Sequence, residues 1–225
     1  NYLGSDSYAL KSMTNKISYL DDGEVCVLSK DNVNFYNLDN NKINKKIHIL
    51  SEEEEIRLLR ELPPHLKRIV RFALATGLRK GTIVKLTMDM YDRKSRKLSI
   101  PSSIMKARKA LVILVNEDAH QLITEEEHHT DRGLGLWRHD DKRPVFTYQY
   151  QKILEPASSA WRKALKRAKI SMTFHDLRHT WATRMIEKGM SPAVVQFLGG
   201  WGSPKMLQRY THINADNLEL KNFGY

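Results

Sequence analysis

Hydrophobic and polar positions follow two different patterns along this chain, with the change near residue 47. Before it, Asn32, Asn34, Asn37, Asn40, Asn41 and Asn44, with Asp31 and Asp39 among them, crowd a stretch that has little helical periodicity. Only the run Gly23-Glu24-Val25-Cys26-Val27-Leu28 reads as a short strand. Residues 1–46 are therefore expected to be a linker or the end of a preceding domain. From Ser51 the pattern sharpens. Ser51 and Glu54 have the spacing of a capping box, and the acidic residues 52–55 suit the positive end of a helix dipole. Ile56, Leu58, Leu59 and Leu62 supply the apolar side of that helix, and Pro63-Pro64 ends it. A second helix is predicted from His65 to Ala75, with Ile69, Val70, Phe72, Ala73 and Leu74 inward and Gly77 as its stop. A third, short one follows from Lys80 to Leu86.

Between residues 96 and 115 the period changes to that of a β-hairpin. Lys97–Ile100 and Ala110–Val115 are the strands, and the polar stretch Lys106-Ala107-Arg108-Lys109 lies between them. Helix is expected again over Glu117–Thr124, then a loop rich in charge, His and Gly from Glu125 to Pro144. A long helical stretch is read from Gln149 to Ala168, with Trp161, Leu165 and Ala168 inward and Pro156 as a kink or division. Asp176–Lys188 forms the next helix, ended by Gly189. Ser191-Pro192 and Ser203-Pro204 each place a capping serine before a proline at the first helical position, and the second pair opens a helix bearing Tyr210. The expected fold is α+β and mainly helical, with one small antiparallel sheet, over residues 47–225.

Composition narrows the partners. With 41% hydrophobic and 28% charged residues among 225, the chain has the balance of a folded globular domain. Its formal net charge of +11 points to a polyanion, either nucleic acid or an anionic membrane face. No apolar run approaches the roughly 18 residues of a membrane span, so a membrane partner is not expected. Cys26 is the only cysteine, which excludes an intrachain disulfide and suits a reducing, cytoplasmic setting. The chain opens on Asn1 rather than Met, as expected of a fragment or a processed chain, with room upstream for another domain.

Several chemistries are excluded by motif: the chain contains no phosphate-binding GxxxxGK[ST], no HExxH and no CxxC. His128, His129, His139, Asp140 and Asp141 lack regular ligand spacing and read as a solvated loop. The segment His175-Asp176-Leu177-Arg178-His179-Thr180 is more informative. On a helix, His175 and Arg178 share a face, and a guanidinium that grips two phosphate oxygens beside an imidazole that moves a proton suits phosphoryl chemistry. On the helix before it, Arg162, Lys163, Lys166, Arg167 and Lys169 are candidates for phosphate-backbone contacts or a solvated face.

Upstream stands Thr76-Gly77-Leu78-Arg79, and downstream Leu198-Gly199-Gly200-Trp201 and Gln208-Arg209-Tyr210-Thr211-His212. This ordered set, with a lysine in a hairpin and a tyrosine nine positions after Trp201, resembles the catalytic domain of the tyrosine recombinase, or phage integrase, family over roughly residues 47–213. The resemblance implies that Arg79 and Arg178 bind the scissile phosphate and that His175 assists proton movement. It further implies that Lys106 protonates the departing 5′ oxygen, that Trp201 supports the phosphate, and that Tyr210 attacks phosphorus to form a 3′-phosphotyrosyl link. Lys109 is the alternative to Lys106. Neither metal nor cofactor is implied. Double-stranded DNA is the implied partner, with a homotetramer on two duplexes, although this fragment alone is compatible with a monomer. The tail from His212 to Tyr225 docks either on a neighbouring protomer or on its own domain. One position departs from the pattern: many members carry an acid where Thr82 stands, which puts the bracing of the site in question.

Elementary chemistry agrees with the resemblance. A phenol with a pKa near 10 is a poor nucleophile at neutral pH, and nearby cations stabilise both the phenolate and the charge growing on a pentacoordinate phosphorus. Each fixed donor of that kind is worth roughly 3–4 kcal/mol of barrier. A type IB topoisomerase uses the same tyrosine chemistry and is the nearest rival. A DNA-binding relative that keeps the fold without activity is a second one, against which Arg79, His175, Arg178 and Tyr210 all speak.

Overall fold

The computed structural model describes residues 24–28, 33–37, 42–43, 47–106, 108–131, 142–149 and 151–201. The chain divides into two compact units, Asn1–Ile47 and His48–Tyr225. In the first, β1 (Glu24–Leu28), β2 (Val33–Asn37) and β3 (Lys42–Ile43) form an antiparallel sheet in the order β1-β2-β3, with Cys26 opposite Phe35 and Phe35 opposite Ile43. The expectation for this region contained β1 alone. The asparagines obscured a short β-favouring run, Val33, Phe35 and Tyr36, that pairs with β1.

The second unit begins where the helical period begins. Helix α1 (Glu52–Glu61) opens with both halves of the capping box: the Glu54 amide donates to Ser51 Oγ at 3.2 Å and the Ser51 amide donates to Glu54 Oε2 at 3.1 Å. Leu58 and Leu62 are buried as expected, but Ile56 is 53% exposed, because the inward stripe passes through the other side of that turn. Helix α2 (Pro64–Thr76) buries Leu66, Ile69, Val70, Phe72 and Ala73 and stops at Gly77 in the left-handed region, φ 64°. Helix α3 (Lys80–Ile83) is a single turn, shorter than the predicted Lys80–Leu86.

A three-stranded antiparallel sheet follows, made of β4 (Tyr91–Asp92), β5 (Lys97–Ile100) and β6 (Leu111–Leu114). The predicted hairpin is present with Lys97 opposite Leu114 and Ile100 opposite Leu111, while β4 is an addition. Leu98, Ile100, Leu111 and Ile113 face inward, and their alternation with exposed neighbours sets the register. The segment joining β5 to β6 includes a 3-10 turn at Ser102–Ile104.

Helix α4 (Glu117–Asp131) is longer than the predicted Glu117–Thr124, so the expected loop does not begin at Glu125, and His128 and His129 lie on helical backbone. His139, Asp140 and Asp141 fall outside the described residues. The long helix predicted from Gln149 is corrected more strongly. Residues Thr147–Tyr148 (β7) and Gln151–Lys152 (β8) form a small hairpin, and α5 is confined to Ser159–Ala168. Pro156, which lacks an amide hydrogen and is buried ahead of the helix, divides this segment rather than kinking a continuous one. Trp161, Ala164, Leu165 and Ala168 form the inward face of α5. Helices α6 (Asp176–Glu187) and α7 (Pro192–Gly199) complete the described unit, α7 being capped by Ser191, whose Oγ accepts from the Val194 amide. The helix predicted after Ser203-Pro204 lies outside the described residues.

Candidate active site

The turn that ends α2 carries the first site residue. Gly77 supplies the left-handed conformation there, and no other residue would fit: a Cβ built on it would lie 2.1 Å from the Trp181 ring. The reversal sets Arg79 at the N-terminal boundary of α3, where its Nη1 donates to the Gly200 carbonyl at 3.3 Å. The carbonyl of Gly77 itself accepts from Arg178 Nη1 at 2.7 Å. The three-residue turn Gly77–Arg79 thus engages both arginines, one as part of the turn and one through its backbone.

Arg178 lies on the first turns of α6 and is only 2% exposed. Its guanidinium carbon lies 3.7 Å from the centroid of the Trp201 ring. A desolvated cation–π contact of this kind contributes about 2 kcal/mol. Trp201 in turn stacks on Trp181, with centroids 6.0 Å apart and ring planes 24° from parallel. Gly199 is required for this placement, since a Cβ there would lie 2.0 Å from the Trp201 ring. Two glycines and two tryptophans therefore interlock the turn at Gly77, helix α6 and the segment Gly199-Gly200-Trp201.

His175 precedes α6 by one residue and is half-buried, its ring 4.8 Å from that of His179 in an edge-on arrangement. Its carbonyl accepts from the Arg178 amide at 3.0 Å, so the two site residues share one turn of backbone. Beside them Asp176 is buried, and the Thr173 amide and hydroxyl both donate to its Oδ2, at 2.7 and 3.0 Å. Burial raises the Asp176 carboxyl above its ordinary value of 3.8 despite those hydrogen bonds.

Lys106 stands exposed on the turn between β5 and β6. It lines a cleft of about 700 Å³ together with Arg79, Thr82, Lys85, Met105 and Arg108. Lys109 is not among the residues that line this cleft. Thr82, the position that departs from the acid of the family pattern, is 3% exposed, and its hydroxyl donates to Met105 Sδ at 3.8 Å. The contacts that hold the two arginines here include the carbonyls of Gly77 and Gly200.

The structure brings together Arg79, Arg178 and Trp201 through contacts between the Gly77–Arg79 turn, α6 and the Gly200-Trp201 segment, sets Lys106 in the same cleft as Arg79, and puts His175 on the turn of Arg178. Tyr210 and His212 lie outside the described residues. Sequence reasoning missed Trp181, Met105, Lys85 and Arg108. Trp181 had a signal, because it lies three positions beyond Arg178 on the same helical face. The other three had none, since only the packing of the hairpin against α3 brings Met105 and Arg108 to one cleft with Lys85. Of the basic run, Arg162, Lys163, Lys166, Arg167 and Lys169 are all exposed, and Arg167 donates to the Glu61 carbonyl at 2.7 Å.

The sequence profile of the phage integrase family matches residues 37–217. The chain belongs to that family. Among its phage integrase relatives, the integrase of Salmonella phage P22 is 34% identical over 178 residues, covering 78% of this chain and 46% of that protein. Tyrosine recombinase XerA of Pyrococcus furiosus is 30% identical over 191 residues, covering 81% of this chain and 63% of that protein. The chain thus spans between about half and two-thirds of the length of these relatives. Solved structures of the family share its fold. A crystal structure of XerA recombinase superposes with a TM-score of 0.61 at 24% identity, covering 81% of this chain and 68% of that one. The catalytic domain of bacteriophage HP1 integrase gives 0.55 at 21% identity, covering 77% and 96%. The Tn1549 transposon integrase in complex with a circular intermediate DNA gives 0.63 at 16% identity, covering 78% and 67%. The expected family and the mainly helical α+β fold are both borne out.

Proposed function

We propose that this chain is the strand-cleaving and rejoining part of a site-specific DNA recombinase, with residues 48–225 as its catalytic domain. The observation that carries the reading is the interlock at Gly77 and Gly200, through which two guanidinium groups from distant parts of the chain share one turn beside a cationic cleft. Double-stranded DNA is the substrate; the relatives solved as DNA complexes, the Tn1549 transposon integrase and the XerH recombinase bound to difH substrate, support that choice.

In this reading Arg79 and Arg178 neutralise the non-bridging oxygens of one phosphodiester. Tyr210 Oη attacks phosphorus, its proton passing to His175, and a new oxygen–phosphorus bond joins the 3′ phosphate to the protein. The bond to the 5′ oxygen breaks, and its electron pair leaves with that oxygen, which takes a proton from the Lys106 ammonium. The phosphotyrosyl ester keeps the bond energy of the phosphodiester, so a 5′ hydroxyl from another strand reverses the step without ATP. Trp201 holds Arg178 in place. Four such protomers on two duplexes complete an exchange, and the protein works on DNA within the cytoplasm.

The test is covalent capture. Nicked duplexes of randomised sequence, selected for attachment to the protein, yield a suicide substrate, and mass spectrometry identifies the modified residue. Tyr210→Phe abolishes attachment while duplex binding persists, because only the nucleophile is removed. An adduct that survives in that variant shows that the nucleophile lies elsewhere.

A further inference from the structure

The cleft beside Arg79 carries more positive charge than the reaction requires. Arg79 and Lys106 line it together with Lys85 and Arg108, and Ser102 and Ser103 add hydroxyl-bearing side chains. No Asp or Glu is among the described residues that line it. Cations that border one cleft can neutralise successive phosphates of a duplex, which releases the counterions condensed on the DNA with a gain in entropy.

Arg108 adds a second, independent observation. Its backbone is left-handed, φ 50°, and its amide donates to the Met105 carbonyl at 3.0 Å to close the turn that carries Lys106. Glycine, which has no Cβ, meets this conformation at no steric cost, whereas arginine meets it at some. Arg96, Gln149 and Lys169 are also left-handed, but of these four described residues Arg108 alone borders the cleft, where local strain can be kept for a side chain with a task. Lys85 stands on the turn that leaves α3, its amide donating to the Thr82 carbonyl at 3.0 Å.

We propose that Arg108 and Lys85 form a second phosphate seat in this cleft, holding a backbone phosphate of the duplex adjacent to the one under attack; this rests on the recombinase reading. Arg79 and Lys106 then deal with the reacting phosphate, while Arg108 and Lys85 set the register of the strand that passes through the cleft. They are DNA-contact residues and take no part in bond making.

The experiment compares the whole chain with its Arg108→Gly and Lys85→Ala variants. Each is titrated with a fluorescently labelled duplex of mixed sequence over a series of KCl concentrations, and each is melted without DNA. Loss of one phosphate contact lowers the magnitude of the slope of log affinity against log salt by about 0.9, and weakens binding roughly tenfold near 0.1 M salt. Arg108→Gly is expected to show that loss with an unchanged or higher melting temperature, because glycine relaxes the left-handed turn. Lys85→Ala is expected to show the same change in slope. Variants whose affinity and slope both match the wild type overturn the second seat. Affinity lost only in step with a fall in melting temperature overturns it as well, since the effect is then on the scaffold. A wild-type chain that fails to bind duplex DNA defeats the recombinase reading itself, an outcome distinct from the other two.

Discussion

Arg178 and Lys106 occupy opposite kinds of surroundings. Arg178 is sealed beneath Trp201, bonded to the Gly77 carbonyl and carried on a helix whose residues from Asp176 to Thr183 are all buried. Lys106 stands in the open on a hairpin turn. The contrast suits the two different tasks proposed for them. A charge that stabilises a transition state is most effective when it is fixed in advance in a site of low dielectric, so that nothing reorients during the reaction. A group that gives up a proton must be able to approach the leaving atom and be reprotonated by solvent afterwards. The buried site binds chemistry and stability together, whereas the exposed one separates them.

The largest effect is expected at the buried arginine. Arg178→Ala slows adduct formation in single turnover by roughly 10²–10³-fold. It also lowers thermal stability, because the Gly77 carbonyl loses a buried partner and the Trp201 ring loses its cation. Cleavage at the wild-type rate would remove Arg178 from the phosphate clamp. Lys106→Ala is expected to slow cleavage by roughly 10²-fold, near the lower end for general acid catalysis, with an unchanged melting temperature. Replacing the bridging 5′ oxygen by sulfur, whose departure needs no protonation, restores the rate. Rescue of Lys109→Ala in place of Lys106→Ala would transfer the role to Lys109.

Gly77→Ala tests the scaffold that holds both arginines. A methyl group at a left-handed position and 2.1 Å from Trp181 must displace the ring, with an expected loss of about 2 kcal/mol in denaturant unfolding. An alanine variant as stable as the wild type would mean that α2 and α6 are not locked at this point.

The smallest effect is a pH dependence at Asp176. Its folded value is raised by burial, so the native state holds the proton more tightly than the unfolded chain. The stabilising contribution is complete below the ordinary value of 3.8 and is lost as pH rises through the elevated one. Asp176→Asn lacks this contribution. The stability difference, wild type minus variant, should therefore fall as pH rises from below 3.8. A difference that stays flat across that range would show that burial does not control this carboxyl.

Where local rules govern, sequence and structure agree closely. The capping box at Ser51, the stop at Gly77, the serine–proline start at Ser191 and the inward faces of α2 and α5 depend on neighbours within a turn or two, and all are present. Agreement fails where periodicity alone decided. The segment from Gln149 to Ser158 has helical composition but forms a hairpin and a proline-bearing approach to α5, because β7 and β8 satisfy their backbone hydrogen bonds with each other. Likewise Ile56 was counted inward by spacing and is exposed, since the core lies on one side of α1 only.

By itself, the order of residues determined the family and the fold class, and it supplied the candidates Arg79, Lys106, His175, Arg178, Trp201 and Tyr210, because each depends on residue type and spacing within short motifs. Tertiary structure decided which carbonyl each arginine meets, that Trp181 underlies Trp201, and that Lys85 and Arg108 face the cleft of Arg79. Those relations join positions up to 121 residues apart in the chain. They follow from how whole helices and a hairpin pack against one another, and no local pattern records that.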